Sequence, residues 1–456
     1  MTDSYAANGQ GLTINGYDAS LDVSDATNYL NNGHDTNGDN RQRDNVIVVG
    51  AGPVGLLIAL RLAKAGIPTT VLEMLPYVEQ SPRAAVYHAI SVRELDRAGV
   101  LEDCRANGKT SSDVCWRKLD GEIIAAIDRK PLPDEKYEVL VLGQHELAEI
   151  ILKHVKQCKE SQILFDHKAV EIQQDEKGVR VAADTPDGIK QFSARYLVGA
   201  DGGRSGVRRL VNVPFAGFTW PQSLVACNVV YPFDKYGYQS GNFIVDKDHW
   251  CLIASLNEPG LWRVSYGELP GLTHEQLMER QPMKFEAIFP GPRPLKYELK
   301  NASPYRINQR CATTMKKGNV LLAGDAAHLC NPFGGLGLTG GILDAGACAD
   351  ALIATLKQGY PELVLETYAE KRKKIWHDII NPTSQANVKR IFETDPDTVG
   401  QTDPFLKMLN DPTVDKAKMR AGDGLYVDVL ADHMNFKADK PTVVPLPGNQ
   451  LRTTIR

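Results

Sequence analysis

The sequence predicts an α/β fold interleaved with a β-rich layer and followed by C-terminal helices. Three observations predict it. A short apolar run from Asn45 to Val49 ends in Gly50-Ala51-Gly52-Pro53-Val54-Gly55 and leads into a stretch of helix formers from Leu56 to Gly66. Two later apolar runs, Arg195 to Ala200 and Lys317 to Ala323, end in Asp201 and near Asp325. Between those two runs, residues 215–305 are rich in β-formers and aromatic side chains, the composition of a sheet.

The chain begins with a polar stretch. Residues 1–44 are rich in Asn, Asp and Gly. Such a segment buries too little apolar surface to offset its ordering entropy, so a disordered polar tail is expected.

The first block is a strand, a tight turn, a helix and a second strand, Pro68 to Leu72, with Glu73 at its tip. Gly50, Gly52 and Gly55 follow a G-x-G-x-x-G spacing. In that pattern the first glycine permits the turn, the second admits a pyrophosphate to the backbone, and the third lets the helix pack on the strand. The helix N-terminus offers N–H donors and the positive end of a dipole. Glu73 accepts from ribose hydroxyls in this reading and repels a 2′-phosphate, so FAD or NAD is expected here rather than NADP.

Arg83 follows in the loop after the second strand, near the expected nucleotide; a solvated surface arginine is the equal alternative. Residues 112–142 read as short strands, and Gly143 to Val155 as an amphipathic helix that includes Gln144. Residues 163–196 alternate in strand fashion around turn signals. A second block, Gly199-Ala200-Asp201-Gly202-Gly203-Arg204-Ser205, repeats the strand-and-acid logic. In the third, Asp325 is followed by Asn331-Pro332-Phe333 and the glycine-rich run Gly334 to Gly341. A long helix is expected from about Ile342 to Gln358, and another over 362–392, interrupted near Pro382. Pro441, Pro445 and Pro447 suggest an extended tail.

Glu73, Asp201 and Asp325 are three strand-end acids, and open α/β sheets bind ligands at the carboxyl ends of their strands. An extended dinucleotide would use Glu73 on its adenosine ribose and Asp325 on a second polyol, for which a ribityl chain is the natural partner. Asp325 as a helix N-cap is the bland alternative. Gly335 to Gly340 also fits G-x-G-x-x-G, but it does not leave a strand directly and no acid-tipped strand follows. It is therefore read as the opening of a helix whose N-terminus faces negative charge on a flavin ring, with Gly337, Leu338 and Thr339 supplying backbone donors.

The three blocks, in this order and spacing over roughly residues 45–395, resemble the class A flavoprotein monooxygenases typified by para-hydroxybenzoate hydroxylase, and are most similar to fungal members of secondary metabolism. The resemblance implies a Rossmann-type FAD-binding domain interleaved with a β-rich substrate domain and followed by C-terminal helices. Its discontinuous FAD-binding part would comprise residues 45–120, 143–214 and 306–360. The β-rich part would be 121–142 and 215–305, with helices over 361–436 and a tail over 437–456.

It also implies an enzyme in which NADPH or NADH reduces a non-covalent FAD and a flavin C4a-hydroperoxide transfers one oxygen atom to an aromatic or phenolic small molecule. Gly50, Gly52, Gly55 and Glu73 would hold the ADP half. Arg83 and Gln144 would contact the pyrophosphate or ribityl region, Asp325 the ribityl chain, and Gly337, Leu338 and Thr339 the ring. Asp201 and Arg204 belong to the motif linked to both FAD and the nicotinamide nucleotide, and Pro332 to the flavin–substrate junction. The chain departs from the family where Leu336 replaces Gln, Thr339 replaces Asn and Gln144 replaces Arg. Epoxidation, Baeyer–Villiger insertion, or a flavin dehydrogenase that never activates oxygen are the alternatives.

For the substrate side, a donor or cation that stabilises a phenolate is required. Tyr238 and Asn228 are the leading candidates, with Tyr266, His249 and Arg263 behind them. Each has a plainer reading as a core aromatic, a satisfied strand polar group or a surface ion pair. His328 is expected to make a structural hydrogen bond.

Composition limits the remaining classes. At 456 residues, two to three domains are expected. A net charge of −4 without a dominant basic patch excludes a nucleic-acid footprint. The eight cysteines form no C-x-x-C pair, so neither a metal site nor a disulfide framework is expected, and a reducing, cytoplasmic setting fits. No apolar run reaches the ~18 residues of a membrane span, and the N-terminus lacks a signal-peptide pattern. Oligomeric state, a homodimer included, is left open.

Overall fold

The computed structural model describes residues 45–81, 84–111, 113–128, 136–414, 425, 442–446 and 450–454. The expected polar tail 1–44 and Arg83 lie outside the described residues.

The fold is α/β, with two principal sheets. The first is six-stranded. Val46–Val49 lies in its interior, between Tyr196–Gly199 and Thr69–Leu72, and all three run parallel. Ser161–Leu164 extends the sheet on one side and Val320–Leu322 on the other, again parallel, with Lys316–Lys317 as an antiparallel edge. Val46, Ile47, Val48 and Val49 are all buried. A central parallel strand is covered on both faces, which is why this run is continuously apolar rather than alternating.

Two helices pack on this sheet and on each other. Pro53–Lys64 contacts Leu336–Lys357 along its length. The second of these is long and apolar enough to cross a membrane, but 78% of its most apolar stretch is buried inside the protein. It is a core helix. It starts at Leu336, six residues before the sequence expectation, and so absorbs Gly337, Gly340 and Gly341. Those glycines lower helix propensity, yet close packing repays them: a Cβ on Gly341 would lie 2.9 Å from Val54 Cγ2, and one on Gly346 2.3 Å from Glu94 Oε2.

The second sheet is eight-stranded. His328–Leu329 forms one edge, next to the long pair Glu298–Ala312 and Phe215–Val230, and Leu261–Glu268, Cys251–Ser255, Gly241–Ile244, Asp113–Arg117 and Ile123–Asp128 follow in that order. Asp113–Arg117 and Glu298–Ala312 pair here although the sequence reading assigned much of both to the other domain, while Leu140–Val141 joins a small separate sheet with Val86–Tyr87 and Lys109–Thr110.

The pleat sorts the side chains of this sheet. Val225, Cys227, Val229, Val264 and Tyr266 form a core with Phe285 and Phe289 of the covering helix region, His274–Ile288 and beyond. Leu224, on the opposite face, joins Trp220, Trp250, Phe333 and Val388.

The C-terminal helices are Leu363–Ile375 and Asn381–Phe392, joined by a π-helical turn, Trp376–Ile380. The expected break near Pro382 takes this form because the proline sits at the start of the next helix, where its missing N–H costs least. In the tail, Thr442–Leu446 pairs with Gln450–Thr454 as a hairpin.

Candidate active site

The carboxyl ends of the parallel strands bring the three sequence blocks together. Gly50 donates from its N–H to Leu72 O, and Ala200 donates to Val49 O. Gly50 adopts a φ of 108°, and a Cβ there would lie 2.4 Å from Ala200 O. Its freedom is therefore used against the second block. Gly55 serves helix packing, since a Cβ there would fall 2.0 Å from Gly50 O. Gly52 differs from both: a Cβ at this position would meet nothing within 4 Å. Open space at the N-terminus of the helix Pro53–Lys64, which has no side-chain cap and no acid in its first turn, is the cradle a phosphate requires.

Glu73 stands at the tip of its strand. Its Oε2 accepts from Ala51 N at 2.7 Å and its Oε1 from Leu75 N at 2.9 Å. Burial raises its pKa; backbone N–H groups oppose the rise, and the nearby Asp201 adds to it.

Asp201 has other work. Its Oδ1 accepts from Ser205 Oγ at 2.5 Å and its Oδ2 from Val207 N at 3.0 Å, so the carboxylate holds the turn into Gly206–Leu210. Burial raises its pKa against those bonds. Arg204 is exposed.

The arginine that joins the second block to the third is Arg208, which sequence reasoning passed over as part of a basic helix start. It is buried, donates to Ala326 O at 2.7 Å and Gly203 O at 2.9 Å, and lies over the Phe215 ring.

Asp325 is exposed on the short turn Gly324–Ala326. Behind it lies a buried cluster that the sequence reading did not resolve. Asp344 accepts from Gly324 N at 3.0 Å and from Arg372 Nε at 2.6 Å, and pairs with His328 Nε2 at 2.7 Å. Burial pushes the Asp344 carboxyl up, but His328 and Arg372 outweigh it and hold the pKa down at about 2. Arg372 also donates to Gly340 O and Leu425 O. The available signal was an acid inside an otherwise apolar helix.

The helix Leu336–Lys357 opens beside this cluster. Its N-cap is Gly335 at φ 67°, with no side-chain cap and no acid in the first turn. Gly337 and Leu338 are half-buried; Thr339 is fully buried, and its Oγ1 has no hydrogen-bond partner. Gln144 is half-buried at the first position of the helix Gln144–Val155.

The loop before this helix is fixed from several sides. Pro332 is half-buried between Asn331 and Phe333, which are both buried. Asn331 N donates to Gln309 Oε1, Phe333 N to Asn331 Oδ1, and His88 Nε2 bonds Gly334 O at 2.7 Å.

The substrate candidates separate by face. Tyr238 is buried with Phe233 in the core shared with Phe285, and the Arg117 guanidinium lies over its ring at 4.3 Å. Burial pushes its hydroxyl up to about 12. Tyr266 belongs to the same core. Asn228 projects to the other face, with Arg263 directly opposite on the neighbouring strand. The sheet thus keeps Tyr238 and Asn228 apart. His249 sits in a turn whose N–H groups donate to Asp246.

Two uncapped helix N-termini, a glycine facing open space, and carboxylates at the adjacent strand ends make a donor set that fits a dinucleotide carrying a second polyol. The FAD binding domain family matches residues 43–383. The chain belongs to this family and is an FAD-dependent monooxygenase of the aromatic-hydroxylase class.

Among its relatives, para-nitrophenol 4-monooxygenase of Pseudomonas sp. (strain WBC-3) is 41% identical over 83% of this chain and 94% of that protein. The 6-hydroxy-3-succinoylpyridine 3-monooxygenase of Pseudomonas putida (strain DSM 28022 / S16) is 36% identical over 78% of this chain and 90% of that one. The crystal structure of p-nitrophenol 4-monooxygenase from Pseudomonas putida DLL-E4 superposes with a TM-score of 0.79 at 37% identity, covering 86% of this chain and 97% of that one.

Proposed function

We propose that this protein hydroxylates a small monocyclic phenol at a ring carbon para to the hydroxyl, with NADPH or NADH as reductant. The observation that carries this reading is the likeness to para-nitrophenol 4-monooxygenase over nearly the whole of that relative. Position 4 of p-nitrophenol and position 3 of 6-hydroxy-3-succinoylpyridine have something in common. Each carbon already bears a substituent and lies para to a ring hydroxyl. For this chain we therefore infer oxygenation at a substituted carbon, with departure of the substituent. A cytoplasmic, NAD(P)H-rich setting accompanies this reading. It takes precedence over an aromatic scaffold of fungal secondary metabolism, because the names of the relatives above give single-ring substrates.

In this reading FAD, when reduced, supplies the activated oxygen. The residues of the chain bind and orient. Gly52 and the N-terminus of Pro53–Lys64 take the pyrophosphate, and Glu73 takes the adenosine ribose through oxygens already oriented by Ala51 N and Leu75 N. Asp325 takes the ribityl chain, and the first turn of Leu336–Lys357 faces the ring with Gly337, Leu338 and Thr339. Gln144 borders the cofactor. Asp201 acts by holding its turn rather than by contact, and Pro332 borders the substrate. Asn228 lies on the sheet face that also packs Phe333, so it faces the substrate side, whereas Tyr238 serves the core.

The test is a panel of para-substituted phenols given to the FAD-loaded protein with NADPH or NADH. Phenol-triggered oxidation of the reductant is expected, with matching oxygen uptake and, for p-nitrophenol, nitrite release. Reductant oxidation that proceeds equally without oxygen would instead favour a dehydrogenase.

A further inference from the structure

We propose that Arg263 is a positioning residue that locks the side-chain amide of Asn228, so that Asn228 donates a hydrogen bond to the phenolate oxygen of the substrate. This inference rests on the phenol reading above.

Arg263 Nε donates to Asn228 Oδ1 at 2.5 Å. A guanidinium has donors only. The amide oxygen of Asn228 must therefore face it, and the Nδ2 group must point away. An asparagine amide ordinarily turns over to suit its surroundings; here one of its two orientations is excluded.

The direction in which Nδ2 points is set by the sheet. Val225, Cys227 and Val229 fill the core behind it, so Asn228 projects forward, to the face on which Leu224 packs against Phe333. Asn228 remains half-buried rather than enclosed.

The surroundings suit an oxyanion. Tyr87 and Tyr305 each lie within electrostatic reach of Arg263. Tyr87 precedes His88, whose ring bonds the Gly334 carbonyl of the loop that opens the flavin-side helix. The pair therefore stands between the sheet and that loop. A phenolate there gains a fixed donor and, behind it on the neighbouring strand, a half-buried positive charge. The ionised ring is also the more electron-rich and so the better acceptor of oxygen.

The experiment uses FAD-loaded protein and p-nitrophenol, whose phenolate absorbs visible light while the phenol does not. Binding and ionisation state are read together across a pH series. Wild-type protein is expected to hold the phenolate at pH values where the free compound is still protonated. Asn228→Asp keeps an acceptor for Arg263 but offers no donor. It should bind about tenfold to a hundredfold more weakly and lose the shift in ionisation, with its flavin spectrum unchanged. Arg263→Lys still only donates and should retain most of the shift, whereas Arg263→Gln lets the amide turn and should lose it.

Asn228→Asp that binds phenolate as wild type does would overturn the inference and leave the phenol reading standing. Wild-type protein that binds no phenol of the panel would overturn both.

Discussion

At the scale of single residues, the cleft at the strand ends holds groups proposed to touch the cofactor and groups that hold those groups still. Asp344 is of the second kind. It fixes Gly324 N, one residue before Asp325, and is itself pinned by His328 and Arg372. Its folded pKa lies below the ordinary value of 3.8, at about 2. Burial works against that value, and the two partners outweigh it. A depressed acid stabilises the fold above its unfolded pKa, and this contribution is lost as the pH falls through the folded one. Unfolding free energy should therefore drop between about pH 4 and pH 2. Asp344→Asn should flatten that drop and, by leaving Arg372 buried without its carboxylate, cost about 3–5 kcal/mol at neutral pH. Denaturant titrations at several pH values check both.

The glycines give a second contrast. Gly55→Ala drives a Cβ against the Gly50 carbonyl and should destabilise the protein by about 1–3 kcal/mol or more. Gly52→Ala meets nothing. It should fold normally yet bind FAD more weakly, because its methyl fills the space given to the pyrophosphate. Thermal unfolding and flavin titration of both variants distinguish these outcomes.

Residue roles can be proposed from sequence where spacing carries the chemistry, as for Gly50, Gly52, Gly55, Glu73 and Asp325, which the fold gathers near the carboxyl ends of the parallel strands. They were not readable where the partner is distant in the chain. Arg208 meets Ala326 only through the fold, and Tyr238 and Asn228 share no local signal that would assign them to opposite faces.

At the scale of elements, the helix Leu336–Lys357 is the decisive one. Its glycine-rich start reads as a loop by propensity. It is helical because Gly335 can take a left-handed φ as N-cap and because Val54 requires a residue without a side chain at Gly341. Tertiary packing overrides intrinsic preference here, which is why the sequence reading began the helix six residues late. The uncapped N-terminus is also the end proposed to face the flavin ring. Leu338→Glu adds an acid to a first turn that has none. It should disfavour negative charge on the reduced ring by about 0.3–1 kcal/mol and lower the flavin midpoint potential. An unchanged potential would assign the ring to another place.

The β-rich layer was foreseen as a sheet but not in its extent. Asp113–Arg117 enters it from before the expected boundary, through a parallel pairing with Gly241–Ile244. Long-range pairing of this kind leaves no trace in a local window.

At the scale of the whole molecule, the ends of the long β-rich pair, Phe215 and Ala312, pack on the core of the parallel sheet, and the loop Asn331 to Gly335 is held by Gln309 and His88. In the proposed function, cofactor and substrate are bound by different layers and brought to this common point. Binding of FAD should stabilise the entire unit, by about 2.7 kcal/mol at a hundredfold excess over its dissociation constant. Asp325→Ala should remove a charge-assisted hydrogen bond worth about 1.5–3 kcal/mol and shift the FAD titration by the corresponding tenfold to hundredfold. Full flavin occupancy in that variant at low FAD would remove Asp325 from the ribityl site.

The central claim is that the protein transfers one atom of dioxygen to a phenol. Turnover of p-nitrophenol with NADPH under isotopically labelled dioxygen, read by mass spectrometry, tests it most directly. One labelled oxygen atom per reductant consumed, carried by the quinone that forms as nitrite departs and read after chemical trapping as the hydroquinone, is the predicted result. Product formed without the label, or reductant consumed with no oxygenated product from any phenol, would contradict it.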